Sequence, residues 1–193
     1  MLKLYKNIFG VKAMEFEKII EERRSIRCFD SSKKVSREMI EEIIRAAVEA
    51  PSWKNQQTSR YYCILNEEMK LKFRSECLPE FNARNSEGAS ALIVAAFVKN
   101  CVGFNADGEP VNEIGNGWGC YDLGLQNENM ILKARELGLD TLIMGIRDAN
   151  KIQCMMNIPE SETVVAVIAV GYVFERPKKP ERKTVEEITK FFI

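Results

Sequence analysis

The sequence predicts one α+β domain, helix-rich with strands interspersed, and three observations carry that prediction. Helical periods of apolar residues at 36–48 and 121–137 are interleaved with short apolar runs at 61–65, 91–98 and 164–172 that read as strands. A 193-residue chain that is 46% hydrophobic holds apolar material for one core and room for little else. No internal repeat, low-complexity tract or linker divides it.

Taken in order, residues 1–14 mix Leu2, Leu4, Ile8 and Phe9 with Lys3, Lys6 and Lys12, without the continuous apolar stretch of a signal peptide, and 1–13 reads as an N-terminal extension. A helix over about 15–23 sets Phe16, Ile19 and Ile20 on one stripe and leads into a basic cluster. Ser36 caps the next helix, in which Met39, Ile40, Ile43, Ile44, Ala47 and Val48 recur every three or four residues and Val35 staples to Ile40; Pro51 stops it. After the strand at 61–65, Asn66 caps a helix running to Cys77. The strand at 91–98 has almost no polar face, which implies a sheet covered on both sides.

The stretch 101–119 holds Gly103, Gly108, Gly115, Gly117, Gly119 and Trp118 and is too long for a plain turn; a site lid and a disordered loop both remain open. The helix at 121–137 points Leu125, Met130, Ile131, Ala134 and Leu137 inward and ends at Gly138. A short strand at 141–144 ends in Gly145, Asp148 caps a helix to about Met156, and 164–172 is the strongest strand. Pro177 and Pro180 break the pattern before a capping box from Thr184 to Glu187 starts a last short helix. Phe191, Phe192 and Ile193 follow, three apolar residues that ask for a partner, so 177–193 reads as an extension that packs on a second subunit.

Composition removes several functions. Lys and Arg total 28 against 28 Asp and Glu, so the net charge is zero and the electrostatic footprint of a general nucleic-acid binder is missing. The absence of histidine removes Ser-His and Cys-His nucleophile pairs, imidazole metal sites and the usual proton shuttle near neutral pH. The six cysteines form no C-x-x-C pair for zinc or dithiol chemistry and read as buried thiols. No run is long enough to cross a bilayer, and the expectation is a soluble protein of a reducing cytoplasm.

Two segments can carry chemistry. Arg23, Arg24, Ser25, Ile26 and Arg27 follow a helix; they are either favourable charge at its negative end or forked donors for the terminal phosphate of a nucleotide cofactor. Pro51, Ser52, Trp53, Lys54, Asn55, Gln56 and Gln57 lie between a helix and a strand; they are either ordinary turn formers or amides that read the edge of a flat heterocycle such as a flavin pyrimidine. The run from Gly117 to Tyr121 fails as a dinucleotide fingerprint, because no glycine stands at 120 or 122 and no strand precedes it.

These two segments, with the helix from Asp122 to Asn129 leading to Gly138 and Leu139 and the strand end Val170, Gly171 and Tyr172, occur in an order and spacing that resembles the FMN-dependent nitroreductase family over about 16–187. The resemblance implies a dimer with FMN at the subunit contact and a central mixed, mainly antiparallel sheet flanked by helices. By similarity, Arg23, Ser25 and Arg27, with Arg24 in the same cluster, bind the FMN phosphate and pyrimidine side, and Ser52, Asn55 and Gln57, with Pro51, come from the opposite wall. The backbone around Met144 and Gly145 is similar to the segment that donates to the flavin N5, and Arg182 to a late phosphate-binding arginine. Pro180 stands where many relatives carry a second basic group, and Gln56, Gln57 and Thr58 replace a commoner Gln-Pro-Trp. The 101–119 loop resembles the region that roofs the flavin and selects the substrate; Trp118 or Phe104 there either stacks over bound aromatics or anchors the loop.

The activity so implied is hydride transfer from NADH or NADPH through flavin N5 to a nitroaromatic, quinone or similar small-molecule acceptor, by a ping-pong mechanism. Such chemistry belongs to the cofactor and needs no histidine. The alternatives are a non-catalytic FMN-binding or sensing protein and a structural dimer with an empty pocket.

Overall fold

Every strand of the single sheet is antiparallel to its neighbours, and the helices lie on both of its faces. The computed structural model describes residues 15–193, so the 1–13 extension lies outside the described residues. In chain order the elements are α1 (Phe16–Glu22), α2 (Arg37–Val48), a 3-10 turn (Trp53–Asn55), β1 (Ser59–Ile64), α3 (Glu67–Cys77) and α4 (Glu80–Asn85). Then come β2 (Ala91–Val98), α5 (Gly117–Glu136), β3 (Asp140–Met144), α6 (Ala149–Met156), β4 (Glu162–Gly171) and α7 (Val185–Ile188).

The strand order is β1-β2-β4-β3. The parallel part of the expected mixed sheet reduces to one bridge, Ser25 to Thr141, where the Ile26 amide donates to the Thr141 carbonyl at 3.0 Å. β2 is buried almost throughout because each of its faces has a helical layer. Ile40 and Ile43 of α2 and Leu123, Met130 and Ala134 of α5 pack on Ile93, Ala95 and Phe97. On the other face Phe73 and Cys77 of α3 and Ile152 of α6 pack on Leu92, Val94 and Leu142. A bulge opposite Ala95 and Ala96 resets the alternation of β4, so that Val164 shares a face with Val167 and Ala169. α5 comes close enough to β2 that a Cβ at Gly119 would overlap the Phe97 ring.

The helix starts follow their caps. Ser36 accepts from the Met39 amide at 3.3 Å, Asn66 from Met69 at 2.9 Å and Asp148 from Lys151 at 3.1 Å. Both hydrogen bonds of the Thr184–Glu187 capping box form, and α2 ends at Val48, short of Pro51. α5 ends before Gly138, whose φ of +80° is the left-handed conformation that suits glycine.

Several expectations need correction. α5 starts at Gly117 and takes Trp118 into its first turn. Its buried face carries Asp122, Gln126 and Asn127, while Leu125 is only half-buried; apolar periodicity cannot reveal a polar residue that belongs inside. α4 is a short polar helix with no apolar period to betray it. Of the α1 stripe only Ile19 is buried, and Phe16 and Ile20 face outward. Of the six cysteines only Cys77 is buried; Cys28, Cys120 and Cys154 are exposed because they stand on surface segments rather than on strand faces, and all six thiols are free.

The start of β3 is tied to the C-terminal segment by charge. The carboxylate of Asp140, 2% exposed, lies 2.9 Å from Arg135 of α5 and 3.1 Å from Arg176. Beyond Val173 the chain is exposed, including Phe174, Val185, Ile188, Phe191, Phe192 and Ile193. Among the described residues no helix is long and apolar enough to cross a membrane.

Candidate functional site

Leaving α1, the chain runs along the outer edge of β3. The Ser25–Thr141 bridge seats the basic cluster there, and the buried Ile26 and Phe29 anchor it to the core. The three guanidiniums differ. Arg24 donates to the carbonyls of Glu21 and Arg23 at 2.5 and 2.6 Å, closing the C-terminal end of α1, and its buried Nε has no partner. For Arg24 the helix-terminus reading is the one the geometry fits. Arg27 is exposed, with a long 3.5 Å contact to the Ser25 carbonyl, and Arg23 is half-buried; neither makes an ion pair among the described residues. Two cations without a counter-charge among the described residues thus sit on one sheet edge.

β3 carries the next element of the site along that same edge. The Met144 side chain is in the core, so it is backbone that this segment offers. Gly145 is exposed, with open space where a Cβ would be, and Asn82 fixes the following peptide by donating to the Ile146 carbonyl at 2.8 Å. Beside Ile146 a cleft of ≈ 530 Å³, lined by Cys77, Pro79, Arg147 and Lys151 among others, opens toward solvent.

The turn after α2 is strained. Lys54, Asn55 and Gln57 have φ values of 48°, 56° and 50°, left-handed conformations that residues with a side chain hold only when the surroundings impose them. Ser52 accepts from the Gln57 amide at 3.1 Å, the Gln57 side-chain amide donates to Asn55 at 3.0 Å, and the Trp53 amide donates to the buried carboxylate of Asp122 at 2.8 Å. Pro51, Asn55 and Gln57 are exposed and Ser52 half-buried. The outcome is a rigid turn that presents amide side chains outward.

The two groups stand at opposite corners of the sheet. The turn precedes Ser59, which pairs with Phe97, itself opposite Thr163 of β4; Ser25 adjoins Thr141, opposite Val170 at the other end of β4. With Ser25 one position beyond β3, four strand spacings across and seven residues along separate it from Ser59 by about 30 Å, while Met144, opposite Val167, lies about 20 Å from Ser59. Within one chain, therefore, Arg23, Ser25, Arg27, Met144 and Gly145 share an edge, and Ser52, Asn55 and Gln57 do not join them. Arg182 joins neither group: it donates to the carbonyls of Pro180 and Glu181, its own neighbours.

The 101–119 stretch is a set of turns, not a disordered loop. Phe104 bridges to Pro110, and Asn105 accepts from the amides of Asp107 and Glu109 at 3.0 and 2.9 Å. Trp118 anchors it, donating to Asn112 at 2.9 Å, and its ring lies 4.8 Å from that of Trp53. Asp122 and Trp53 are the residues that sequence reasoning left without a role. No local signal marks them, because their contact joins a turn to a helix 69 positions away.

The sequence profile of the nitroreductase family matches residues 20–172, which span the basic cluster, the strained turn, β3 and the end of β4. The chain belongs to the nitroreductase family. Members of this family are oxidoreductase enzymes, and this nitroreductase-family enzyme is 30% identical over 159 residues to an Archaeoglobus fulgidus protein provisionally named NADH dehydrogenase/NAD(P)H nitroreductase. That alignment covers 80% of this chain and 83% of the archaeal one. Two solved structures share the fold. A provisional nitroreductase from Exiguobacterium sibiricum, in complex with FMN, superposes with a TM-score of 0.77 at 23% identity, covering 94% of this chain and 99% of its own. A nitroreductase family protein from Streptococcus pneumoniae superposes with a TM-score of 0.77 at 19% identity, covering 91% and 99%.

Proposed function

We propose that this nitroreductase-family chain is an FMN-dependent NAD(P)H oxidoreductase that works as a homodimer, with each flavin held between two subunits. The observation that carries this reading is the separation of about 20 to 30 Å between the two groups of candidate residues. One flavin cannot touch both groups of the same chain, whereas a second copy can bring its 52–57 turn to the β3 edge of the first. The outward-facing Phe16, Ile20, Phe191, Phe192 and Ile193 supply apolar surface for such a contact.

The donor set fits FMN. Arg23 and Arg27 have no acid partner among the described residues and can fork onto a phosphate or a pyrimidine oxygen, beside the hydroxyl of Ser25. Gly145 leaves its backbone open for an approaching ring edge. From the other wall, the partner subunit's Ser52, Asn55 and Gln57, led in by its Pro51, hold a planar edge with amide groups already ordered by their turn. Arg182, exposed on the C-terminal segment, would reach the phosphate from that extension rather than from the sheet edge. The charge of Arg27 beside the ring favours the arrival of electrons on it.

When bound, FMN supplies the redox step, taking hydride from NADH or NADPH and passing reducing equivalents to a nitroaromatic, quinone or similar acceptor. The residues bind and orient; none is asked to act as nucleophile or acid. Donor and acceptor would then occupy one cleft in turn, which predicts ping-pong kinetics.

Colour tests the reading. Purified protein loaded with FMN should be yellow, bleach with NADH or NADPH under anaerobic conditions, and recover on addition of a nitroaromatic or quinone. A yellow protein that never bleaches is a flavin-binding or sensing protein, and a colourless one that ignores added FMN overturns the cofactor assignment.

A further inference from the structure

We propose that Trp118 is a positioning residue that joins the 101–116 loop and the 52–57 turn into one mechanical unit, so that order in the loop and affinity at the flavin site rise and fall together. The flavin part of this statement rests on the proposed function; the mechanical part does not.

On the loop side, Trp118 is seated by two contacts. Its Nε1 donates to Asn112 at 2.9 Å, and Asn112 also accepts from the Ile114 amide at 3.1 Å, so one amide side chain gathers the loop around the indole. Gly103, with φ +78°, lies so close that a Cβ there would come 2.5 Å from Trp118 Cδ1. Only a residue without a side chain allows both this backbone conformation and this approach.

On the turn side, the ring of Trp53 lies 4.8 Å from Trp118 at an angle of 55°, and Tyr121 meets Trp118 edge-on at 5.8 Å. Trp53 is the first residue of the strained turn, directly before Lys54 and Asn55. Lys54, Asn55 and Gln57 are exposed and bury little that could hold them in place. Such a conformation persists only when its surroundings over-determine it. The constraints are the Ser52–Gln57 and Asn55–Gln57 bonds, the Asp122 clamp on the Trp53 amide, and the indole of Trp118 under the indole of Trp53. The last of these is shared with the glycine-rich loop, so the loop is one of the supports of the turn.

Hydrogen exchange on the full-length protein without flavin tests the link, with amides 53–57 as the readout. The variants are Trp118→Leu, Trp118→Phe and Asn112→Ala, the last of which touches only the loop. A glutamate-specific protease cutting after the exposed Glu113 reports loop order in the same samples. Trp118→Leu should speed exchange in the turn about tenfold, as for residues sharing a packed contact. Trp118→Phe should restore most of the protection, and Asn112→Ala should shift the turn in the same direction by less. The two tryptophans of the chain are this tilted pair, so tryptophan fluorescence, excited selectively over tyrosine, reports this unit. In the FMN titration the Kd of Trp118→Leu should rise by a similar factor.

Faster loop cleavage in Asn112→Ala and Trp118→Leu with unchanged exchange at 53–57 would overturn the proposal, because loop and turn would then be independent. If Trp118→Leu does not fold, Asn112→Ala alone decides. A wild-type protein that takes up no FMN defeats the flavin reading, and the exchange measurement still decides this one.

Discussion

The backbone amide of Trp53 donates to the carboxylate of Asp122 at 2.8 Å across 69 positions of sequence. Through that one bond a buried acid on α5 fixes the entry to a turn whose exposed amides form one wall of the proposed site. Asp122→Ala should leave the Trp53 amide unpaired and cost about 1–3 kcal/mol, whereas Asp122→Asn keeps an acceptor and should cost less. Urea midpoints of the three proteins measure this, and an Asp122→Ala midpoint equal to wild type would mean the clamp carries nothing.

The basic cluster predicts a division of labour among its arginines. Arg27 is exposed and has no counter-charge among the described residues, so Arg27→Ala should weaken FMN binding by roughly 10- to 100-fold, the loss expected for a charge-assisted hydrogen bond, with the dimer intact. Arg24 closes the end of α1, so Arg24→Ala should lower stability by about 1 kcal/mol and change FMN affinity far less. Flavin titrations paired with thermal melts separate the two, and a reversed pattern would reassign the phosphate contact to Arg24.

The apolar end of the chain predicts self-association. Phe191, Phe192 and Ile193 are exposed in a single chain, and burying them on a second copy would be favourable by a few kcal/mol at about 25 cal/mol per Å². Removal of these three residues should raise the dimer dissociation constant by at least tenfold in analytical ultracentrifugation. An unchanged constant would confine the tail to its own subunit.

Alkaline pH should destabilise the fold. Burial pushes the Cys63 and Cys77 thiols from 9.0 up to about 11, and burial followed by the hydrogen bond to Glu162 pushes the Tyr62 phenol from 10.0 up to about 12. The folded state holds these protons where the unfolded chain has released them. Their contribution is therefore complete below about pH 9 and is lost as pH rises through 11 and then 12. Denaturant midpoints measured from pH 8 to 11.5 should fall across that window, and Cys77→Ala should flatten the fall; midpoints that stay level would show the Cys63 and Cys77 thiols to be irrelevant.

Much of the fold was legible because its signals are local. Ser36, Asn66, Asp148 and Thr184 announce helix starts through a side chain three residues from the amide it satisfies, and each cap forms as expected. The unbroken apolar run 91–98 requires cover on both faces, and β2 has it. α4 escaped because a six-residue helix with only Phe81 and Ala83 apolar is too short to show a period. The inward placement of Asp122, Gln126 and Asn127 escaped because their partners lie far away in sequence, Asp122 binding Trp53 and Asn127 binding Tyr61 at 3.2 Å.

The sequence by itself determined the caps, the strands, the exclusion of histidine chemistry and the two polar segments worth watching, since each depends on residues within a few positions of one another. Only the tertiary structure decided that those segments stand at opposite corners of one sheet, that Arg24 is committed to a helix end while Arg27 is exposed, and that Trp118 leans on Trp53. Strand register and helix docking set these relations, and they depend on which distant surfaces fit together rather than on any local pattern.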